Sequence, residues 1–199
     1  MSGKEKVNMD PQYIIRLTVT LLVTCVVVAA CLGGVNAVTK DKIAAINQAK
    51  TEAAMKLVAP DATGFSDKLE ITDAMAEAAK AAGGTLDSVY EAQVNGVKAG
   101  YTIKVVASGS QGSIEMMVGV DEENAVTGVS VVKASETSGI GSRVIDNENG
   151  VLDQFQGKSA ADGALVVGSN VDAITGATVS TKGVTAGVNA ALAVAGAIG

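Results

Sequence analysis

SIEMMVGVD, at Ser113–Asp121, alternates apolar side chains with polar, small or mixed ones. A period of two residues is that of a β-strand, because successive side chains of a strand point to opposite faces of the sheet. One face would carry Ile114, Met116, Val118 and Val120, and the other Ser113, Glu115, Met117, Gly119 and Asp121. The stretch therefore predicts a strand with one face packed on a core and a second, mixed face.

Similar runs lie on both sides of this strand, at residues 89–95, 97–107 and 126–134. The segments between them are rich in turn formers: Asn95-Gly96, GSQG at 109–112 and EEN at 122–124. Connections this short join antiparallel neighbours. We therefore predict an antiparallel meander of three or four strands.

Helical patterns flank the predicted meander. Residues 39–58 have apolar side chains at three- and four-residue spacing, and an Ala-rich stretch at 72–82 ends at Gly83-Gly84. A short helix is predicted around 151–155, and a last helix from about Ser180. On that last helix one side would carry Val184, Val188, Ala191, Leu192 and Ala195. Helices that are segregated from an antiparallel sheet indicate an α+β domain.

The N-terminal part of the chain has no charged residue over positions 17–39. A helix of this length rises about 34 Å, which spans a hydrocarbon core of about 30 Å. We predict a transmembrane helix at 13–38 after a cytoplasmic segment at 1–12. Two alternatives stay open: residues 35–37 resemble a signal-peptidase site, and residues 28–31 resemble a lipoprotein site that would leave Cys31 acylated.

The orientation of this anchor is not decided by its flanking charges, because three basic residues precede it and three come after it within a short distance. A short N-terminal segment and a signal-like first helix favour export of the domain. We therefore expect a single-pass protein of the cell (inner) membrane, with its soluble domain on the extracytoplasmic side.

The composition of the domain excludes several classes of function. After Thr39 there are 12 Lys and Arg against 19 Asp and Glu, without a basic cluster, which argues against nucleic-acid binding. The chain has no His, and its two cysteines, Cys25 and Cys31, lie in the apolar run. Histidine-based catalysis, a metal site and a cysteine-ligated cluster are therefore not expected. Chemistry must come from a bound cofactor or from carboxylates.

The segment DAITGATVST, residues 172–181, lies just before the last predicted helix. Hydroxyl and backbone N–H groups at a helix N-terminus favour an anion such as phosphate. The same residue types serve as ordinary N-caps and turn residues. The residues alone leave both interpretations open for Thr175, Thr178, Ser180 and Thr181.

This segment resembles the flavin-attachment motif of a known family, the FMN-binding domain shared by the G subunit of the Rnf electron-transport complex and the C subunit of the sodium-pumping NADH:quinone reductase. That motif is an Asp, then Ser/Thr-Gly-Ala-Thr, then a further Ser/Thr. It is matched in order and spacing by Asp172, Thr175, Gly176, Ala177, Thr178 and Ser180. In the family a separate flavin transferase esterifies the last threonine of the core to the FMN phosphate. The resemblance therefore implies covalent FMN on Thr178.

Other segments extend the resemblance over nearly the whole chain. ETSGIGSR at 136–143 resembles the family's Glu-Thr-Pro-Gly-Leu-Gly loop, with Ser138 in place of Pro. QFQGK at 154–158 and GSQGSIEMMVGVD at 109–121 resemble further family stretches. The loop is thought to border the flavin, which implies that Glu136 and Thr137 contact it. An ordinary glycine turn is the alternative for this loop.

The resemblance implies a membrane-anchored flavoprotein subunit of an Rnf-type ion-translocating ferredoxin:NAD⁺ oxidoreductase complex, not catalytic alone, with other membrane subunits as partners. We expect a helical stalk and the start of the domain at 39–85, and the FMN-binding domain at 86–199. Two alternatives remain. One is the C subunit of a Na⁺-translocating NADH:quinone reductase, which we expect to be longer, and the other is an exported lipoprotein or binding module without a redox role.

Overall fold

The computed structural model describes residues 11–198 of the 199-residue chain. Two compact units divide the chain, one ending at Gln48 and the other beginning at Ala49. Of the segment predicted at 1–12, residues 1–10 lie outside the described residues, as does Gly199.

The first element is a helix, α1, at Pro11–Val58. In its charge-free stretch all four threonine hydroxyls donate to the carbonyl four residues earlier, over 2.8 to 2.9 Å. Such bonds satisfy the hydroxyls inside the helix, so that water is not needed. Among the described residues two helices are long and apolar enough to cross a membrane: α1, and α4 at Thr178–Ile198, whose apolar stretch is mostly buried.

The second unit contains one antiparallel sheet of five strands in sequential order, which confirms the predicted meander and adds an edge strand. Its strands are β1 Gly64–Phe65, β2 Gly84–Val94, β3 Val97–Ser108, β4 Ser113–Asp121 and β5 Val126–Ala134. The β2–β3 turn has positive φ at Asn95 and Gly96, 52° and 80°, as a type I′ hairpin turn requires. The start of β2 differs from the prediction because a bulge at Leu86 and Ser88 interrupts its alternation.

One face of the sheet packs against α4 and against α2, at Asp73–Ala81. The hydroxyl of Thr72 caps α2 by accepting the N–H of Met75 at 3.3 Å. On α4, Gly183 has no room for a Cβ against the Ser108 carbonyl, so the helix lies close to the end of β3. The predicted inward positions of α4 and β4 are all buried.

The other face of β4 is partly buried as well. Met117 is 0% exposed, because the end of α1 covers it with Ala54, Met55 and Val58. The hydroxyl of Thr127 on β5 donates to the Val58 carbonyl and fixes the helix end to the sheet. The alternation in β4 predicted the first face, whereas the second was covered by residues distant in sequence.

Short helical segments differ from the prediction between β5 and α4. The predicted loop at 136–143 runs into a four-residue helix, α3, at Ser142–Ile145. The helix predicted around 151–155 is a 3₁₀ turn at Asp153–Phe155, and α4 starts at Thr178, before Ser180. Elements of three or four residues are too short to display the 3.6-residue periodicity on which the prediction depended.

Candidate functional site

The segment before α4 alternates between core and solvent. Ile174 and Ala177 are 7% and 3% exposed, whereas Thr175, Gly176 and Thr178 are exposed. The Ala177 N–H donates to the Ile174 carbonyl at 2.9 Å, which closes a β-turn. Gly176 has a φ of +86°, the conformation that the third position of a type II turn requires. The buried residues thus hold a turn that projects its other residues outward.

The four hydroxyl residues of this segment are not equivalent. Thr178 is exposed and is the first residue of α4, where the backbone N–H groups lack partners from a preceding turn. Ser180 and Thr181 are 1% and 0% exposed, and the Thr181 hydroxyl donates to the Ala177 carbonyl at 3.1 Å. Thr175 is exposed but lies in the turn outside the helix. Of the four, Thr178 alone combines an accessible hydroxyl with the helix N-terminus.

Glu136 connects this segment to two others. One carboxylate oxygen, Oε1, accepts the backbone N–H of Ser110 in the β3–β4 turn at 2.7 Å. The other, Oε2, accepts the hydroxyl of Ser180 in the first turn of α4 at 2.8 Å. The structure therefore brings two predicted site residues, Glu136 and Ser180, into direct contact. Thr137 lies exposed beside them, and its carbonyl accepts N–H bonds from Ile140 and Ser142, both at 3.3 Å.

Arg143 holds the turn at Thr175. Its Nη1 donates to the Thr175 carbonyl at 3.2 Å, while Nε and Nη2 donate to the two carboxylate oxygens of Glu148 at 2.8 and 2.7 Å. These bonds from Arg143 lower the pKa of Glu148, and the bonds to Glu148 raise the pKa of Arg143. Both groups therefore stay charged at neutral pH. The sequence contained Arg143 within the loop at 136–143 but no local signal of this role.

Gln154 holds the start of the segment. Its side-chain oxygen accepts the Asp172 N–H at 2.7 Å, and its amide nitrogen donates to the Asp172 carbonyl at 3.0 Å. The Asp172 side chain is exposed, and the residue lines a cleft of about 340 Å³ together with Arg143, Gln154 and Thr175. Three side chains thus hold the segment at residues 172–180: Gln154 at Asp172, Arg143 at Thr175 and Glu136 at Ser180. All three come from stretches that resemble the family in sequence.

The arrangement is suited to an anion attached at the start of α4. No acidic residue belongs to the first turn of that helix, and the one carboxylate bonded to this turn, that of Glu136, lies on the buried side at Ser180. The turn before Thr178 is open to solvent, because a Cβ added at Gly176 would meet nothing within 4 Å. An exposed hydroxyl in open space at a helix N-terminus fits a phosphate-linked group.

Comparisons with known proteins identify the family of this chain. The family model described as FMN-binding domain matches residues 109–193, a range that contains the β3–β4 turn, Glu136 and Thr178. The chain is 33% identical to the G subunit of the Na⁺-translocating ferredoxin:NAD⁺ oxidoreductase complex of Acetobacterium woodii, over 98% of this chain and 97% of that one. It is 29% identical to the G subunit of the ion-translocating oxidoreductase complex of Methanosarcina acetivorans, over 92% of this chain and 95% of that one. The crystal structure of Shewanella oneidensis NqrC matches 66% of each chain with 21% identity and a TM-score of 0.43.

Proposed function

The chain belongs to the family of G subunits of ion-translocating ferredoxin:NAD⁺ oxidoreductase complexes and contains its FMN-binding domain. We propose that it is a membrane-anchored electron carrier with FMN esterified to Thr178. Bound FMN supplies one- and two-electron redox chemistry that the side chains of this domain lack. The other membrane subunits of such a complex would be its redox partners. No role in nucleic-acid binding is proposed.

The observation that carries the proposal is the accessibility of the Thr178 hydroxyl at the first residue of α4. In the attachment step the Thr178 oxygen forms a bond to the phosphorus of a flavin nucleotide activated as a pyrophosphate. The P–O bond of the pyrophosphate breaks, and the half of the pyrophosphate without the flavin leaves as a nucleotide. A flavin transferase accepts the proton of the Thr178 hydroxyl. The resulting diester keeps one negative charge, which the N-terminus of α4 favours.

Asp172, Thr175, Gly176, Ala177 and Ser180 shape the attachment segment in this proposal. Ala177 is buried and Gly176 permits the turn, while Asp172 and Thr175 are exposed and available to the transferase. A tether at the phosphate leaves the ring system unmodified, so its main effect is to retain the cofactor. Retention matters for a domain outside the cytoplasm, where lost FMN is not readily replaced.

The direct test is mass spectrometry of the tryptic peptide at residues 159–182, taken from cells that also express a flavin transferase. We expect the mass of FMN minus water on this peptide, with fragment ions that locate it at Thr178. If the peptide is unmodified in cells that express the flavin transferase, the proposal is contradicted.

Replacing Gly176 by Ala should reduce flavin attachment because Ala at a φ of +86° is strained by about 1–2 kcal/mol. Gly168 is a matched control, since its φ is also +86° and a Cβ there would likewise meet nothing within 4 Å. Gly176→Ala and Gly168→Ala should lower the free energy of unfolding similarly, but only Gly176→Ala should lower covalent flavin. Equal flavin in both variants would mean that the turn does not matter for attachment.

We also propose that residues 13–38 of α1 form a single membrane anchor and that the domain lies on the extracytoplasmic side. The internally satisfied threonine hydroxyls support a helix in lipid, and α1 continues through Cys31 without a break. Protease added to right-side-out spheroplasts should therefore digest the domain. Digestion that requires lysis would place the domain inside.

A further inference from the structure

We propose that Glu136 is a positioning residue for the modification of Thr178, acting through Ser180 and not by contact with the flavin. This inference rests on the proposed attachment of FMN at Thr178. It assigns a different role to Glu136 from the flavin contact that the family resemblance implies.

Both carboxylate oxygens of Glu136 are already engaged within the protein. Oε1 accepts the Ser110 N–H at 2.7 Å and Oε2 accepts the Ser180 hydroxyl at 2.8 Å. The partners lie 26 and 44 residues away along the chain. One side chain therefore joins the β3–β4 turn, the loop after β5 and the first turn of α4.

Two glycines leave space for this carboxylate and for little else. A Cβ added at Gly109 would fall on Oε1, and a Cβ added at Gly141 would fall on Oε2 and also meet the Ser180 hydroxyl at 2.9 Å. Glu136, which is half-buried, thus lies between the backbones of Gly109 and Gly141. A carboxylate with both oxygens bonded is suited to holding segments together.

The link reaches Thr178 through the geometry of the helix. Ser180 lies two positions after Thr178, so the two side chains point about 200° apart around the axis of α4. Consistent with this, Ser180 is 1% exposed whereas Thr178 is exposed. The bond from Ser180 to Glu136 fixes the inner side of the first turn, and this orients the Thr178 hydroxyl on the outer side. Without that bond the helix end is free to fray.

Replacement of Glu136 by Gln separates positioning from other roles of a carboxylate. The Gln oxygen can accept the Ser110 N–H, and its amide can donate to the Ser180 oxygen, so both links survive without the charge. A base that removes the Thr178 proton, or a charge that acts on the transferase, would be lost in Glu136→Gln. If Glu136 acts only by positioning, the rate of flavin attachment should be retained in Glu136→Gln.

The experiment compares full-length chains in detergent, labelled by a purified flavin transferase with its flavin nucleotide donor, and measures the initial rate of covalent flavin incorporation. Loss of the hydrogen bond between Glu136 and Ser180 should slow labelling about tenfold in Glu136→Ala and in Ser180→Ala. The double variant should be no slower than Glu136→Ala, because that variant already lacks the bond to Ser180. Glu136→Gln and the exposed control Glu123→Ala should label within about twofold of the unchanged chain.

A second readout is amide hydrogen exchange at the start of α4, where the Thr181 N–H donates to the Ala177 carbonyl at 3.0 Å. Exchange there should accelerate in Glu136→Ala and Ser180→Ala but not in Glu136→Gln. If Glu136→Ala does not fold, Ser180→Ala, which removes one oxygen atom, decides the result.

The inference is overturned if Ser180→Ala labels at the unchanged rate, or if Glu136→Gln is as slow as Glu136→Ala. An unchanged chain that acquires no flavin at Thr178 would instead overturn the proposed function. The two failures are therefore distinguishable.

Discussion

We expect that replacing Thr178 by Val will remove all covalent flavin and leave the domain folded. Val has nearly the shape of Thr but lacks the oxygen to which the phosphate must bond. Thr178 is exposed at the first residue of α4, so the substitution buries no new group and creates no cavity. The free energy of unfolding should change by less than about 0.5 kcal/mol, as for most surface substitutions.

The measurement is in-gel flavin fluorescence after denaturation, in cells that express a flavin transferase, with circular dichroism as the folding control. Thr175→Val is the matched variant, because Thr175 is also exposed and contacts Arg143 through its backbone carbonyl, which Val retains. It should lower attachment incompletely, as should Asp172→Asn. Full fluorescence in Thr178→Val would show that another hydroxyl carries the flavin. Of Thr175 and Ser180, Thr175 is the exposed one.

The largest effect on stability is expected for Phe155→Ala, at about 3–5 kcal/mol. Phe155 is 0% exposed and is the largest fully buried side chain among residues 11–198. The chain has only two Phe and no Trp. Removing its ring leaves a cavity that the short 3₁₀ turn around it cannot readily close. A loss of this size is a large part of the roughly 5–15 kcal/mol by which domains are typically stable.

Phe65→Ala is the control, because Phe65 is only partly buried, at the two-residue edge strand β1. Urea titration of the full-length chain in detergent, followed by pulse proteolysis, measures both losses. The loss for Phe65→Ala should be less than half of that for Phe155→Ala. Equal losses would mean that Phe155 does not anchor the core of the second unit.

The elements that were predicted correctly have signals contained in a few consecutive residues. The period of two in β4, the Asn95-Gly96 turn and the end of α2 before Gly83-Gly84 all depend on backbone geometry and on near neighbours. Between β5 and α4, the helix α3 was not predicted and the helix predicted around 151–155 is only a 3₁₀ turn, because three or four residues carry no measurable period.

For the site, the sequence predicted two segments: Asp172–Ser180, through a motif that resembles a known attachment segment, and a loop that contains Glu136. The resemblance implied Thr178 as the attachment residue, whereas the residue types alone did not distinguish the hydroxyls of that segment. The tertiary structure separated them, because the exposure of Thr178 and the burial of Ser180 result from the way α4 packs on the sheet.

The links from Glu136 to Ser110 and Ser180, and the covering of Met117 by the end of α1, were likewise decided only by the tertiary structure. The physical reason is the same in each case. Alternation and turn residues act within a few positions of the chain, whereas burial and these hydrogen bonds join segments tens of residues apart, whose meeting depends on the packed fold.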